Sequence, residues 1–145
     1  MEIRNYTKED KKEIIQMVSE ILKEMFNGDP EEFKILKEFN VTKNYIYYLV
    51  VVIGNKIVGI GALKKLTKKK VKIKRLYIME DYRRKGIAQK ILDQLIQFAK
   101  EQKFKQILFN TYPIMENARK FHKRNGFTEI MNNDPYQIHL IKKLS

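Results

Sequence analysis

One short segment combines a glycine, a cluster of cations and an expected change from strand to helix. Residues 82–88 read Tyr-Arg-Arg-Lys-Gly-Ile-Ala, between an alternating apolar run over 71–78 and an amphipathic segment over 87–99. The first N–H groups of a helix lack partners, and the helix dipole is positive at that end. A helix that begins beside Gly86 therefore offers a binding site for phosphate.

The glycine spacing here differs from the two common phosphate loops. The segment contains neither G-x-G-x-x-G nor G-x-x-x-x-G-K-[ST]. Its pattern is Arg83-x-x-Gly86-x-Ala88, in which the two small residues allow close approach of the backbone to a ligand. Arg84 and Lys85 add further positive charge. The chemistry expected of this pattern is binding of an anion by backbone groups.

Composition limits what the rest of the chain can be. Its 145 residues, 43% of them hydrophobic, suit one domain over 1–145. No run approaches the ~18 apolar residues that span a bilayer, and the first residues lack the apolar core of a signal peptide. We therefore expect a cytoplasmic protein. With no cysteine, and with His122 and His139 far apart, we expect no metal site.

The net charge of +13 favours anionic partners such as nucleotide phosphates or nucleic acid. Lysines are spread along the whole chain, which is also what a solvated surface requires. The segment 64–75 holds seven lysines and one arginine, and we interpret most of them as the solvent face of an antiparallel hairpin.

Hydrophobic periodicity and turn residues predict the elements that position these residues. Gly28 is expected to end the first helix, Asp29 and Pro30 to begin the second, and Gly54-Asn55 to form a tight hairpin turn. Strands are predicted over 2–6, 44–53, 56–66, 71–78, 104–110, 127–131 and 136–144, with helices over 10–28, from 29, over 87–99 and over 114–124.

This order, with the glycine loop between the fourth strand and third helix, resembles the GNAT N-acetyltransferase superfamily. Its pyrophosphate loop has the pattern Arg/Gln-x-x-Gly-x-Gly/Ala. A second segment, from Asn117 through Gly126 and Phe127, is similar to the family's N-x-A…Gly-Phe signature, except that Asn117 lies directly before Ala118. The resemblance implies an α/β (α+β) fold: a mixed, mostly antiparallel sheet of about seven strands flanked by four helices.

The resemblance also implies a site for acetyl-coenzyme A as co-substrate, with no metal. In the family the fourth and fifth strands separate. The fourth strand would pair through its backbone with the pantetheine arm in the gap, using Leu76, Tyr77 and Ile78. The loop would hold the diphosphate, and two residues of the last helix would line the other side of the arm. The remaining implied binding residues are Arg83, Arg84, Lys85, Gly86, Ile87, Ala88, Asn117 and Phe121.

Three residues are candidates for catalysis. His122 stands where the family usually has a tyrosine that protonates the leaving thiolate, and an imidazole of pKa ~6.5 suits proton transfer near neutrality. Tyr112, just past the fifth strand, is an alternative donor. Glu80, at the end of the fourth strand, is a weak candidate for the general base, because that strand itself contains no acidic residue.

The function implied is direct transfer of an acetyl group from acetyl-coenzyme A to a primary amine, by a monomer or a homodimer. The alternatives are a basic module that binds nucleic acid or ribosomes, and a coenzyme A-binding fold without turnover. The acceptor cannot be read from the sequence. Glu31, Glu32 and Glu38 could contact it, although the basic charge disfavours polycationic acceptors.

Overall fold

Seven strands form a single sheet in this protein. The computed structural model describes residues 1–28, 34–37, 44–113 and 115–144. The strands are β1 (Glu2–Asn5), β2 (Tyr45–Ile53), β3 (Lys56–Lys65), β4 (Lys70–Ile78), β5 (Gln106–Thr111), β6 (Thr128–Ile130) and β7 (Ile138–Lys143). Their order across the sheet is β1-β2-β3-β4-β5-β7-β6.

The helices lie between these strands in the predicted order. They are α1 (Lys11–Phe26), α2 (Ile87–Glu101) and α3 (Glu116–Arg124), and residues 34–37 are also helical. The predicted start of a helix at Asp29 and Pro30 lies outside the described residues. The order of elements and the mixed, mostly antiparallel sheet confirm the predicted fold class.

Two predicted turns can be compared directly with the structure. Gly54 and Asn55 both have positive φ, 56° and 64°, as a two-residue hairpin requires, so this prediction is confirmed. The end of α1 differs slightly from the prediction. Asn27 takes the left-handed conformation, and its N–H donates to the Lys23 carbonyl at 2.9 Å, one residue before the expected Gly28. Asparagine tolerates this conformation better than most residues.

Both faces of the sheet are buried by helices. On one face, Ile91, Leu92 and Leu95 of α2 join a core that includes Val71 and Ile73 of β4. On the other face, residues of α1 pack against β2 and β3, and the buried members of α1 are Ile14, Met17, Val18, Ile21 and Leu22.

A glycine sets the close packing of α2 on β3. A Cβ built on Gly61 would lie 2.5 Å from the Ile91 Cγ2 atom, closer than real side chains come. The helix therefore rests almost directly on the strand backbone, and this distance fixes where the N-terminus of α2 lies.

Strand β4 is irregular at its middle. Tyr77 lies opposite Ile60, whereas Lys74 lies opposite Ala62, so β4 has one residue more than β3 over this stretch. Arg75 lies in this bulge with a φ of 60°, in the left-handed region that few residues other than glycine adopt. The second half of β4 is thereby turned relative to the first half.

The same strand forms the parallel pairing among the described strands. Residues 70–73 of β4 pair with residues 106–109 of β5, and the two strands separate beyond Ile73 and Phe109. The outer half of β4 continues to pair with β3 on its other side, where Ile78 lies opposite Gly59. The sheet therefore opens between β4 and β5.

No helix among the described residues is long and apolar enough to cross a bilayer.

Candidate active site

A cleft of about 110 Å³ lies where β4 and β5 separate. This is room for a small organic group rather than for a whole nucleotide. Leu76 and Tyr77 of β4 form part of one wall, and Phe109 and Tyr112 form part of the other. Met25, near the end of α1, closes one side. The opening of the sheet thus produces a pocket at its centre.

Three basic residues of β4 line this cleft: Lys72, Lys74 and Arg75, which we call the basic wall. All three are half-buried. Most of the eight cations in 64–75 were interpreted as a solvent face, and these three line the cleft instead. Alternating lysines on a strand are equally consistent with a solvent-facing surface, so the position of these three residues in the cleft follows from the structure and not from the sequence.

Arg75 lies against two aromatic rings that also contact each other, edge to face. Its guanidinium carbon lies 4.8 Å from the centre of the Tyr45 ring and 5.9 Å from that of Tyr48. Its Nη1 also approaches the Tyr48 hydroxyl at 3.5 Å. These contacts orient the cation at the bulge.

The opposite wall carries hydrogen-bonding groups. The Gln137 side-chain amide donates to the Tyr112 hydroxyl at 3.2 Å, and it lies 2.9 Å from the Asn110 amide. The Asn110 Nδ2 donates to the Gln137 oxygen, so these three side chains form one hydrogen-bonded group on this wall.

The glycine loop stands at the start of α2. Arg84 and Gly86 both have positive φ, 62° and 80°, with Lys85 between them. Alternation of this kind turns successive N–H groups toward one side, where an anion can bind. The first helical bond runs from the Lys90 N–H to the Gly86 carbonyl at 3.1 Å, so the N–H groups of residues 87–89 precede the intrahelical ladder. No atom lies within 4 Å of a Cβ built on Gly86.

Arg83 is engaged within the protein. Its Nε donates to the Ile78 carbonyl at 3.0 Å, and its Nη1 donates to Glu24 of α1 at 2.8 Å. Its backbone N–H donates to the Glu80 carbonyl at 3.2 Å. Arg83 was expected to hold a diphosphate, but in this structure it ties the loop to β4 and to α1. Lys85 extends over the Tyr82 ring, with its ammonium 5.6 Å from the ring centre.

The other expected binding residues are divided between two places. Leu76, Tyr77 and Ile78 lie on β4 beyond its last pairing with β5, where the strand was expected to be open. Asn117 is exposed on α3, and Phe121 of the same helix is half-buried. Neither residue of α3 is among those that line the cleft.

His122 is buried in a cluster of aromatic rings. Its imidazole is 1% exposed and lies 4.1 Å from the Phe109 ring, centre to centre, with Phe121 and Phe127 also against it. Among the described residues its Nδ1 has no hydrogen-bond partner. Burial lowers the pKa of His122 to about 4, so the ring is neutral at pH 7. His122 lies behind Phe109 and does not itself line the cleft.

Glu80 lies at the surface, outside the cleft lining. A hydrogen bond with Glu24, together with repulsion from its charge, raises the pKa of Glu80. The hydrogen bond from Arg83 in turn lowers the pKa of Glu24. The described lining of the cleft contains no carboxylate. Glu31, Glu32 and Glu38, considered from the sequence, lie outside the described residues.

Comparison with known proteins agrees with this architecture. Residues 14–127 match the model of the family described as Acetyltransferase (GNAT) family. The chain belongs to the GNAT acetyltransferase family. The matched residues include the loop, the basic wall and the whole of α3, so the resemblance inferred from two short signatures is confirmed.

Individual relatives are distant in sequence and close in fold. YsnE of Bacillus subtilis, named as an uncharacterized N-acetyltransferase, is 29% identical over 98 residues, which cover 63% of this chain and 65% of YsnE. A GNAT acetyltransferase structure from Staphylococcus aureus Mu50 is 25% identical, with 99% of both chains covered and a TM-score of 0.85. The PaiA N-acetyltransferase of Thermoplasma acidophilum, solved with coenzyme A, is 21% identical, with 98% of both chains covered and a TM-score of 0.80.

Several residues of this GNAT site could not be identified from the sequence. Glu24 is 59 positions from its partner Arg83, and Gln137 lies in an irregular segment before β7 with no motif around it. Asn110 occupies an ordinary strand position.

Among the described residues no group of three or more His, Asp or Glu side chains is arranged to hold a metal ion.

Proposed function

We propose that this GNAT-family chain is an N-acetyltransferase that moves the acetyl group of acetyl-coenzyme A directly to a primary amine. The observation that carries the proposal is the position of the glycine loop. It follows directly on the part of β4 that has separated from β5, so an anion site and an open strand edge are continuous. A long ligand with a diphosphate and an amide-containing arm suits both features.

The proposed binding of acetyl-coenzyme A uses mainly backbone groups. The N–H groups of residues 84–88 would hold the diphosphate, with Lys85 adding charge, and the free space beside Gly86 leaves room for it. Leu76, Tyr77 and Ile78 would pair with the arm. Arg83 acts as a positioning residue, because its side chain ties the loop to β4. The coenzyme A in the Thermoplasma relative supports this choice of ligand.

Acetyl-coenzyme A supplies an activated acetyl group, and the chain supplies position and proton transfer. No cysteine is available to carry the acetyl group, which favours direct attack by the amine. Backbone N–H groups of outer β4 would stabilise the thioester oxygen as it gains charge. We propose Tyr112 as the proton donor to the leaving thiolate, because this residue lines the cleft. The alternative donor, His122, stays a prediction from the sequence.

Calorimetric titration of acetyl-coenzyme A into the wild-type protein and into Gly86→Glu tests the binding site. We expect one-to-one binding by the wild type and loss of at least ~100-fold in affinity by the variant, because the new carboxylate would occupy the anion site and repel the diphosphate. Gly54→Glu is the matched control: it introduces the same charge at another glycine of positive φ with open space around it.

Equal binding by Gly86→Glu and wild type would contradict the loop assignment. No binding by the wild type would reject the proposed function as a whole. A primary-amine screen, with release of free coenzyme A thiol as readout, then tests turnover.

Cytoplasmic location remains a prediction from the sequence.

A further inference from the structure

Two side-chain amides connect the start of α2 with the end of α3. Gln89 Nε2 donates to Asn125 Oδ1 at 2.7 Å, and Asn125 Nδ2 donates back to Gln89 Oε1 at 3.1 Å. We call these two residues the amide pair. They lie 36 positions apart in the sequence, and both side chains are half-buried. The amide pair therefore joins the helix that follows the glycine loop to the segment that carries the second signature.

Further hydrogen bonds hold each amide in one orientation. Gln89 Nε2 also donates to Asp93 Oδ1 at 2.9 Å, one turn further along α2. Asn125 Nδ2 also donates to the Phe121 carbonyl at 2.9 Å, one turn earlier in α3. An amide nitrogen carries two hydrogens, so both nitrogens have a partner for each of them. Hydrogen bonds connected in this way hold side chains more rigidly than an isolated bond does.

Asn125 is also held by β7. Lys142 Nζ donates to the Asn125 carbonyl at 2.8 Å, and its positive charge complements the negative end of the α3 dipole. Gly126 leaves room for this contact, since a Cβ built on it would lie 2.6 Å from Lys142 Nζ. The end of α3 is thus attached to the sheet, and the amide pair attaches the start of α2 to the end of α3.

Gln89 lies in the first turn of α2, among the N–H groups that precede the intrahelical ladder. Its own backbone N–H is one of them, because the first helical bond is donated by Lys90. The same turn is held to the core by Ile87, which is 3% exposed. Apolar contact has no preferred direction, whereas hydrogen bonds do. The amide pair therefore limits rotation of this turn, and with it the direction of the N–H groups of residues 87–89.

We propose that the amide pair positions the start of α2 for binding of the coenzyme diphosphate. Gln89 and Asn125 are then positioning residues, which act through the backbone of the loop and of the first helical turn. This inference rests on the proposed acetyltransferase function and adds two residues to its binding machinery. Without the amide pair, a diphosphate would have to order the N–H groups as it binds, and that ordering lowers affinity.

Calorimetric titration of acetyl-coenzyme A compares the wild type with Gln89→Met, which keeps the approximate length and helix propensity of the side chain and removes its amide. We expect a loss of about three- to tenfold in affinity, the effect of one or two net hydrogen bonds. Gln97→Met is the matched control and should keep the wild-type affinity. Gln97 is exposed on the same helix, and its amide donates to Glu101 of that helix at 3.0 Å.

Urea unfolding of the same variants separates positioning from general stability. A lower unfolding free energy in Gln89→Met, with the affinity of the folded protein unchanged, would show a purely structural role and overturn the proposal. Equal affinity and equal stability would overturn it as well.

Exchange of the two side chains provides a rescue. Gln89→Asn/Asn125→Gln keeps both amides and the summed length of the two side chains. Asn125 has a φ of −92°, which glutamine adopts without strain. We expect Gln89→Asn and Asn125→Gln each to bind acetyl-coenzyme A more weakly, and the exchanged variant to regain most of that affinity. An exchanged variant that binds no better than the weaker single variant would contradict a role for contact between the two amides.

These outcomes are separate from failure of the proposed function. If the wild type does not bind acetyl-coenzyme A, the acetyltransferase proposal fails, and inorganic diphosphate then replaces the coenzyme as the probe. Backbone amide NMR signals of residues 84–89 are followed as diphosphate is added. We expect shifts in the wild type and in Gln97→Met, and the same shifts at about three- to tenfold higher concentration in Gln89→Met. Identical titrations of the three proteins, or no shifts in the wild type, would overturn the inference.

Discussion

The surroundings of His122 disfavour the charged form of its imidazole. It is an ionisable side chain, and it is enclosed by phenylalanine rings that exclude water. The folded protein therefore holds the neutral imidazole and resists its protonation. In the unfolded chain the same imidazole protonates near its ordinary pKa of ~6.5, and this difference makes folding depend on pH.

Replacement of His122 by Phe should make stability less sensitive to mild acid. Between pH 6.5 and about 4 the unfolded state of the wild type binds more protons than the folded state, so its stability falls as pH falls. This loss should reach about 2 kcal/mol at pH 5 and be absent from the variant. Urea unfolding at pH 7 and pH 5 measures it.

Phe127→Leu is the control for this experiment, because it alters the same aromatic cluster without removing an ionisable group. It should keep the pH dependence of the wild type. If the unfolding free energies of wild type and His122→Phe change in parallel between pH 7 and pH 5, the imidazole is not held neutral by folding.

Tyr112→Phe tests which residue donates a proton to the leaving thiolate. Because its hydroxyl faces the cleft beside Gln137, we expect kcat to fall by roughly 100-fold with an accepted amine while binding of acetyl-coenzyme A is unchanged. Tyr136→Phe, at a tyrosine that is 68% exposed, is the control. The opposite result, loss of kcat in His122→Phe alone, would assign the donor to His122 as the sequence first indicated.

The sequence predicted the roles of some residues better than those of others. Gly86 could be singled out, because it follows three cations at an expected strand-to-helix junction, and its role in binding an anion stays a prediction. Arg83 was not, because its role depends on Glu24, which only the folding of α1 against the loop brings near. A motif shows which residue types are present but does not show which partner each one meets.

At the scale of elements, the sequence predicted the strands but not how β4 opens. Its alternation over 71–78 is that of an ordinary strand, and nothing marks Arg75 as the site of a bulge. Glycine or asparagine would have given a signal, because those residues favour positive φ. The change in β4 therefore depends on pairing with β3, across a turn in the sequence, and with β5, which follows only after α2.

Gly61→Ala should shift α2 and destabilise the protein. The new methyl group would meet Ile91 Cγ2 at 2.5 Å, and a buried β-branched side chain on a helix cannot turn aside easily. We expect a loss of about 1–3 kcal/mol in unfolding free energy, measured with urea, and weaker binding of acetyl-coenzyme A because the N-terminus of α2 moves.

Gly59→Ala is the same substitution two residues earlier in β3, at a position where the added methyl group meets a more mobile atom. Its methyl group would meet the terminal Cδ1 atom of half-buried Ile78 at 2.8 Å, which can move more freely. The cost of Gly59→Ala should be the smaller of the two. If the two variants are equally stable, contact with Ile91 does not determine how close α2 lies.

At the scale of the whole molecule, the order of elements was predictable because each one has its own hydrophobic period and turn residues. The position of the cleft was also predictable in outline, once a resemblance joined two signatures 40 residues apart. The charge of its wall was not, because alternating lysines on a strand are equally consistent with a solvent-facing surface. Only the sheet order, with β4 at its centre, separates these interpretations.

The net charge of +13 should make the folded state sensitive to salt. Repulsion among like charges opposes the compact state, and raising NaCl from ~10 mM to ~1 M shortens the screening length from about 30 Å to about 3 Å. We expect the melting temperature to rise by several degrees, with a smaller rise in Lys68→Gln/Lys69→Gln, as measured by scanning calorimetry. A melting temperature that falls with NaCl would show that attractive ion pairs outweigh repulsion.

The open edge of β4 has a consequence for how the sequence of such a protein can change over evolutionary time. Main-chain N–H and carbonyl groups are present whatever side chain a residue carries, so a strand edge and a helix start can keep their binding groups through extensive substitution. The walls of the cleft depend on particular side chains and can diverge independently. A lineage with this division can therefore change the side chains of the cleft walls, such as Lys72, Lys74 and Gln137, while the opening between β4 and β5 stays the same.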